Sequence, residues 1–307
     1  MHNGIVVFKT KSVVSLSYKL PVMIKKTALF IVHLLVAGFF SMGYAQELNI
    51  MTYNIRFDNP DDGENRWDAR KENLVELLRE ADPDIFGIQE GLIHQVRYMD
   101  SLLADYRFIG NGRDDGMEAG EFCAVFYKET RFLLLQQGLF WLSETPEIPS
   151  RGWDAALNRI CVYGLFESMN TRNRFLVFNT HLDHMGVLAR EKSIELILEK
   201  ADTLNPEHLP VILLGDFNLE PGDRAFGNLL AYYVDSKTAC TGEISGPEGT
   251  FNAFRFDRPV KQRLDYIFVS KGKSEVKTYR VIADANQGRY PSDHCPVFAT
   301  VKVRHGE

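Results

Sequence analysis

The chain has 307 residues, with 35 Lys and Arg against 41 Asp and Glu, a formal net charge of −6. The first 45 residues carry five lysines (Lys9, Lys11, Lys19, Lys25, Lys26) and no acid, so residues 46–307 hold 30 basic groups against 41 acids, a net of −11. That balance opposes tight, unspecific binding of a polyanion, which depends on Lys and Arg neutralising phosphates.

The first segment with a pattern is "MIKKTALFIVHLLVAGFFSMGYAQE", which has the layout of a secretory signal over residues 23–45. Lys25 and Lys26 form a basic start, Leu29–Phe40 an apolar centre, and Gly43 and Ala45 supply small residues for cleavage. The apolar centre falls short of the ~20 residues that span a bilayer, which disfavours an N-terminal membrane anchor. Residues 1–22 read as an extension upstream of Met23. The expectation is an exported protein, periplasmic in a Gram-negative source and extracellular otherwise, with no stable membrane anchor. Its mature chain would be 46–307, long enough for one large α/β domain, and no Pro/Gly-rich linker divides it.

From residue 46 on, strand-like runs cover 48–53, 84–88, 122–127, 159–166, 174–180, 210–214, 264–269 and 297–303. Hairpin-like stretches occupy 121–142 and 159–180. Helical periodicity predicts Asp68–Ala81, with Leu74, Leu77 and Leu78 on one face and Pro83 beyond its end. It also predicts Leu188–Leu204, with Ile194, Leu196, Ile197 and Leu198 as its apolar residues. Mixed sheets covered by helices follow from this order. The four cysteines, Cys123, Cys161, Cys240 and Cys295, fit no zinc spacing. Cys123 and Cys161 read as buried thiols.

Six of these segments break from apolar to polar in the same way. "LNIMTYN" ends at Asn54 and "DIFGIQE" at Glu90. "FLVFNTHLDH" delivers His181, Asp183 and His184. "VILLGDFN" delivers Asp216 and Asn218. "RLDYIFV" opens with Asp265, and "YPSDHCPV" places Asp293 and His294 before the last strand. An acid or amide at one strand end is ordinarily a turn or cap residue. Six together suit one pocket, because active sites of α/β folds gather at strand ends. Carboxylate, carboxamide and imidazole are the groups that hold a hard divalent cation and transfer protons.

In chain order, "MTYNIR", "GIQE", "NTHLDH", "GDFN", "RLDYIFVS" and "SDHCPV" resemble the endonuclease/exonuclease/phosphatase superfamily, over about 48–303. The resemblance implies a four-layer α/β sandwich, two packed mixed β-sheets flanked by helices, with a metal-dependent phosphoesterase site at one end. It implies Glu90 as the main Mg²⁺ ligand (Mn²⁺ as the alternative ion), with Asn54 beside it and Asp293 as an auxiliary acid. It implies His294 as the catalytic histidine oriented by Asp265, and Asp216 as the acid that positions or activates water. Asn218 would hold the phosphate, with His181 near its oxygens and the leaving group.

The segments that set the substrate are less telling. Arg56 stands two residues past Asn54 and is a candidate clamp for a terminal phosphate. The loop after it resembles a calcium hand only faintly: Pro60 takes a ligand place and Ala69 stands where the closing Glu belongs. Loops "GRDDGMEAGEF" (112–122) and "SRGWDAALNRI" (150–160) offer Arg113 and Arg159 as phosphate contacts and Trp153 as a flat wall for a sugar or a base. With a net of −11 and no basic stripe, a small or membrane-derived phosphoester is the favoured partner: a sugar phosphate, an inositol phosphate, a phospholipid headgroup or a short nucleotide. A secreted nuclease scavenging DNA or RNA is the second expectation. A metal-independent glycosidase using paired carboxylates is a third.

Overall fold

A computed structural model describes residues 46–283 and 289–304, together with Met1. The expected signal segment, and the upstream extension apart from Met1, lie outside the described residues.

Two mixed sheets form the centre. The first has seven strands: β1 (Gln46–Asn54), β2 (Ile85–Gly91), β3 (Tyr106–Ile109), β4 (Phe122–Lys128), β10 (Ile244–Ser245), β12 (Ser274–Val281) and β13 (Val297–Val303). Their order across the sheet is β10-β12-β13-β1-β2-β4-β3. The second has β5 (Phe132–Trp141), β6 (Ile160–Ser168), β7 (Arg174–His181), β8 (Val211–Asp216), β9 (Tyr233–Asp235) and β11 (Asp265–Ser270), ordered β5-β6-β7-β8-β11-β9. Helices α1 (Trp67–Ala81) and α2 (Ile93–Leu102) accompany the first sheet. Helices α3 (Val187–Thr203), α4 (Phe226–Tyr232) and the short α5 (Ser236–Ala239) accompany the second.

Side-chain alternation builds four layers from these elements. In β8, Ile212 and Leu214 face the first sheet, in one cluster with Leu48, Ile50, Ile85 and Val125. Val211 and Leu213 face outward onto Ile194 and Ile197 of α3 and Phe226 of α4. Beyond the first sheet, Leu74, Leu78, Val96 and Met99 of α1 and α2 cover Met51, Tyr53 and Phe86. A run such as "VILLG" is apolar throughout because both of its faces are covered.

All eight strand-like runs are strands, and both predicted helices form. The stretch 121–142 is not a hairpin. β4 and β5 belong to different sheets, because β3 pairs along Tyr106–Ile109 with the edge of β4 that β5 would need. β5 pairs instead with β6. The β6–β7 hairpin forms as expected. All four cysteines are free, and Cys123, Cys161 and Cys295 are buried.

One buried amide joins the sheets beside the site. Asn179 of β7 donates to the carbonyls of Ile88 in β2 and Ala124 in β4, each at 2.9 Å, and accepts from Gln89 Nε2 at 2.7 Å. Gly87 makes room for it, since a Cβ there would stand 2.7 Å from Asn179 Cγ and 2.2 Å from Leu214 Cδ1. Replacing Asn179 with Ala is expected to cost about 2–4 kcal/mol, because it strips partners from groups that water cannot reach. Urea denaturation checks this; an unchanged midpoint would show that the three bonds add nothing to stability.

Candidate active site

Sheet topology brings the polar strand ends to one place. β1 runs parallel to β2, and β7 runs parallel to β8, so Asn54, Glu90, His181 and Asp216 all sit at C-terminal ends. β11 runs antiparallel to β8 and begins there, placing Asp265 directly opposite Asp216. β13 runs antiparallel to β1, so Asp293 and His294 arrive just before it at the same end.

Glu90 gets there through a β-bulge. The β2–β4 register shifts between Ile88 and Gly91, and Glu90 has φ +65. A bulge re-aims a side chain out of the pleat. Here Glu90 Oε1 accepts from Asn54 Nδ2 at 2.9 Å, and Oε2 accepts from the Phe57 amide at 3.3 Å. The same Asn54 Nδ2 donates to Asp216 Oδ2 at 3.0 Å, while Asn54 Oδ1 accepts from the Arg56 amide. Asn54, expected as a metal ligand, therefore shows its N–H groups to both carboxylates. In this arrangement it spaces and orients Glu90 and Asp216, and its Oδ1 keeps a second lone pair beyond the bond from the Arg56 amide.

Asp216 is the hub. Besides Asn54, its Oδ1 accepts from the Asn218 amide at 2.9 Å. Its Oδ2 lies 3.6 Å from His181 Nε2 and 3.8 Å from His294 Nε2. Burial, and then the Asp265 charge, push its carboxyl up to about 7. His294 Nδ1 is 2.8 Å from Asp265 Oδ2, which fixes the ring with Nε2 toward Asp216. Burial disfavours the charged ring, yet the charges of Asp265, Asp216 and Asp293 hold His294 well above the usual imidazole range. Asp265 is itself placed by Thr250, whose Oγ1 accepts from the amides of Leu264 and Asp265. His181 goes the other way: burial and the nearby Arg159 and Arg113 charges keep it neutral. Asn218, at φ +49, spends one side-chain N–H on the Leu182 carbonyl at 3.0 Å and still lines the cleft.

These groups open into a cleft of about 410 Å³ whose lining includes Arg56, Glu90, Arg159, Asp216, Asp293 and His294. Arg159 is buried, donating from Nε to Asp183 and meeting His184 Nδ1 at 3.0 Å. Asp183 pins the wall in turn. Burial pushes its carboxyl up, but the backbone N–H groups of Gly186, Ala156 and Met185 and the Arg159 charge hold it well below the usual range. Arg113 lies off the main cleft, in a small recess with Glu90, Glu121 and His181, and its guanidinium is tied to both Glu121 oxygens. Trp153, expected as a wall, is not among the lining side chains; its backbone N–H donates to the Glu144 carboxylate. Seven further residues line the cleft without a role expected from the sequence: the apolar Phe57, Leu157 and Leu264, and Glu121, His184, Phe251 and Gln262. Glu121 and His184 fall inside the quoted segments "GRDDGMEAGEF" and "NTHLDH". Phe251 and Gln262 come from a bridge-paired stretch with no periodicity, where the Phe251 ring packs edge-on against His294.

The donor set suits a divalent cation. Glu90, Asp216 and His181 offer ligand atoms within 4.8 Å of one another. Asp293 is raised by burial and by the Glu90 charge, so the acids repel one another. Converging hard oxygen donors with surplus negative charge fit a divalent ion better than they fit each other.

Comparison with known proteins agrees with this geometry. The chain matches the Endonuclease/Exonuclease/phosphatase family over residues 51–294. A mannosyl-6-phosphatase of Bacteroides thetaiotaomicron is 39% identical, with TM-score 0.79, covering 83% of this chain and 99% of that one. A second protein of this family from the same organism is 37% identical, with TM-score 0.81, covering 85% and 100%. The Ccr4 subunit of Emericella nidulans, a 3'-5'-exoribonuclease of the CCR4-Not complex, is 24% identical over 78% of this chain and 48% of its own length. The chain thus spans about half the length of that curated relative, and 60% of an uncharacterised mimivirus protein to which it is 27% identical. By sequence and by fold, the chain belongs to the endonuclease/exonuclease/phosphatase family, whose members are divalent-metal-dependent hydrolases of phosphoesters.

Proposed function

We propose that this protein is an exported, Mg²⁺-dependent phosphoesterase acting on a small phosphorylated substrate, with a sugar phosphate as the leading class. The observation that carries this reading is the cleft of about 410 Å³ ending on the Glu90–Asp216–His294 cluster. It has the size of a small-molecule pocket, and it sits in a chain whose net charge of −11 over residues 46–307 disfavours a long polyanion. The likeness to a mannosyl-6-phosphatase supports the sugar phosphate.

Glu90, with Asp216 and Asp293 beside it, would hold the ion, Mg²⁺ with Mn²⁺ as the alternative. When bound it would neutralise charge on the phosphoryl oxygens. The chain's own groups do the rest. Asp216, whose Oδ2 faces both histidines, takes a proton from the attacking water. His294, kept protonated by Asp265, offers Nε2–H to the charge that grows on the phosphoryl group. The second side-chain N–H of Asn218 donates to a phosphoryl oxygen. Neutral His181 faces the leaving-group side.

A panel of sugar phosphates, inositol phosphates, phospholipid headgroups, nucleotides and nucleic acids, assayed with Mg²⁺, Mn²⁺ and EDTA, tests this. Turnover of a small ester that EDTA abolishes and salt barely changes is the expected result. Activity that survives EDTA would point to a metal-independent hydrolase instead. A nuclease is the second reading, favoured by the likeness to an exoribonuclease, and activity on RNA or DNA that falls steeply with salt would establish it.

A further inference from the structure

The segment after β1 carries a device the reaction above does not use. Arg56 has φ +56, a conformation that costs a non-glycine residue free energy and persists only where the surroundings over-determine it. Here they do. Its amide donates to Asn54 Oδ1, and its carbonyl accepts from Arg70 and from Gln95 Nε2. Its guanidinium is fixed as firmly. Nε and Nη2 donate to the two oxygens of Asp62, each at 2.9 Å, and the plane lies over the Phe57 ring at 4.6 Å. Asn59 Nδ2 steadies Asp62 Oδ1 at 3.0 Å.

An arginine has five N–H donors, and Asp62 uses two of them. Nη1 lies 3.9 Å from Glu90 Oε2, too far for a hydrogen bond, and among the described residues it donates to none. Arg56 and Phe57 both line the cleft. The result is a rigid fork, charged, with unspent donors at the rim of the phosphate site.

We propose that Arg56, aimed by Asp62, makes the site selective for phosphomonoesters over diesters. This rests on the phosphoesterase reading above. A monoester near neutral pH carries close to two negative charges and three terminal oxygens. A diester carries one charge and two such oxygens, its third position being taken by a second ester group. A preset guanidinium fork suits two terminal oxygens at once. In the diester it meets the ester substituent and finds less charge. Asp62 touches no substrate; it is a positioning residue, and the turn over Pro60–Asn65 exists to present it.

The test compares wild type with Arg56→Lys, Asp62→Asn and, as a control in the same turn, Asp61→Asn. Substrates are 4-nitrophenyl phosphate and bis(4-nitrophenyl) phosphate with saturating Mg²⁺, and binding of inorganic phosphate is measured by calorimetry. Arg56→Lys and Asp62→Asn are expected to lose about 10–100-fold in kcat/KM on the monoester, the worth of a charge-assisted fork. They should leave diester hydrolysis close to the wild-type rate and weaken phosphate binding. Asp61→Asn should change nothing. Equal losses on both substrates, or undiminished phosphate binding, would reduce Arg56 to a counter-ion for Glu90 and Asp293 and overturn the proposal. If Asp62→Asn does not fold, Arg56→Lys decides alone. A wild type inert toward both esters would fail the underlying phosphoesterase reading, while the phosphate titration would still judge the fork.

Discussion

Glu90→Ala is expected to abolish hydrolysis at ordinary Mg²⁺ and to regain part of it at high Mg²⁺. Glu90 is the carboxylate that the β2 bulge turns into the cleft, and Asn54 and the Phe57 amide hold its two oxygens in place. Glu121, the neighbouring carboxylate on that side, is tied through both oxygens to Arg113. The loss should be at least the ~10²–10³ found when one group that stabilises developing charge is removed. Partial recovery follows because Asp216 and Asp293 remain to bind an ion weakly. Rates measured across a Mg²⁺ titration check this. Full activity with no shift in metal dependence would remove Glu90 from the ion's ligands.

His294→Ala is expected to lower turnover by about 10²–10⁴, the usual worth of a positioned acid–base group, and to leave the protein folded. The ring touches both halves of the chemistry: Nδ1 is anchored to Asp265 at 2.8 Å, and Nε2 looks toward Asp216. A loss below tenfold would exclude it from the mechanism. Asp265→Asn gives a companion result. Removing that negative charge lowers the His294 pKa, so the protonated ring persists to a lower pH than in wild type. If the imidazolium is the working form, kcat falls on the alkaline side, and in Asp265→Asn that fall moves toward neutral pH. An unmoved limb would show that the working proton is not on His294.

Much of this was legible in the sequence because a buried strand has few reasons to end in an acid or an amide. Asn54, Glu90, His181, Asp216, Asp265, Asp293 and His294 each interrupt or border an apolar run, and the sheets bring all seven to one end. What was not legible depends on pairing. Glu90 reaches the cleft by a bulge and a positive φ, which an apolar run ending in Glu does not announce. The division of β4 and β5 between sheets depends on β3, only four residues long and interrupted by Arg107. β12 escaped notice because polar residues and a register shift near Val276 break its alternation. Arg113 looked available until its partner Glu121 was placed beside it. Trp153 looked like a wall because a large flat ring suits a sugar, but loop geometry turned Leu157 and Arg159 to the cleft instead.

The interlock through Asn179 has a consequence for how the enzyme is assembled. Glu90 belongs to one sheet and His294 to the segment leading into its strand β13, Asp216 and Asp265 belong to the other sheet, and neither half owns a complete set. Catalysis can therefore begin only once the halves have closed on each other, so regain of turnover during refolding should lag the appearance of strand signal. A fragment ending at Lys128, which holds β1 to β4 and Glu90 but none of Asp216, Asp265 and His294, should yield no residual enzyme, however well it folds.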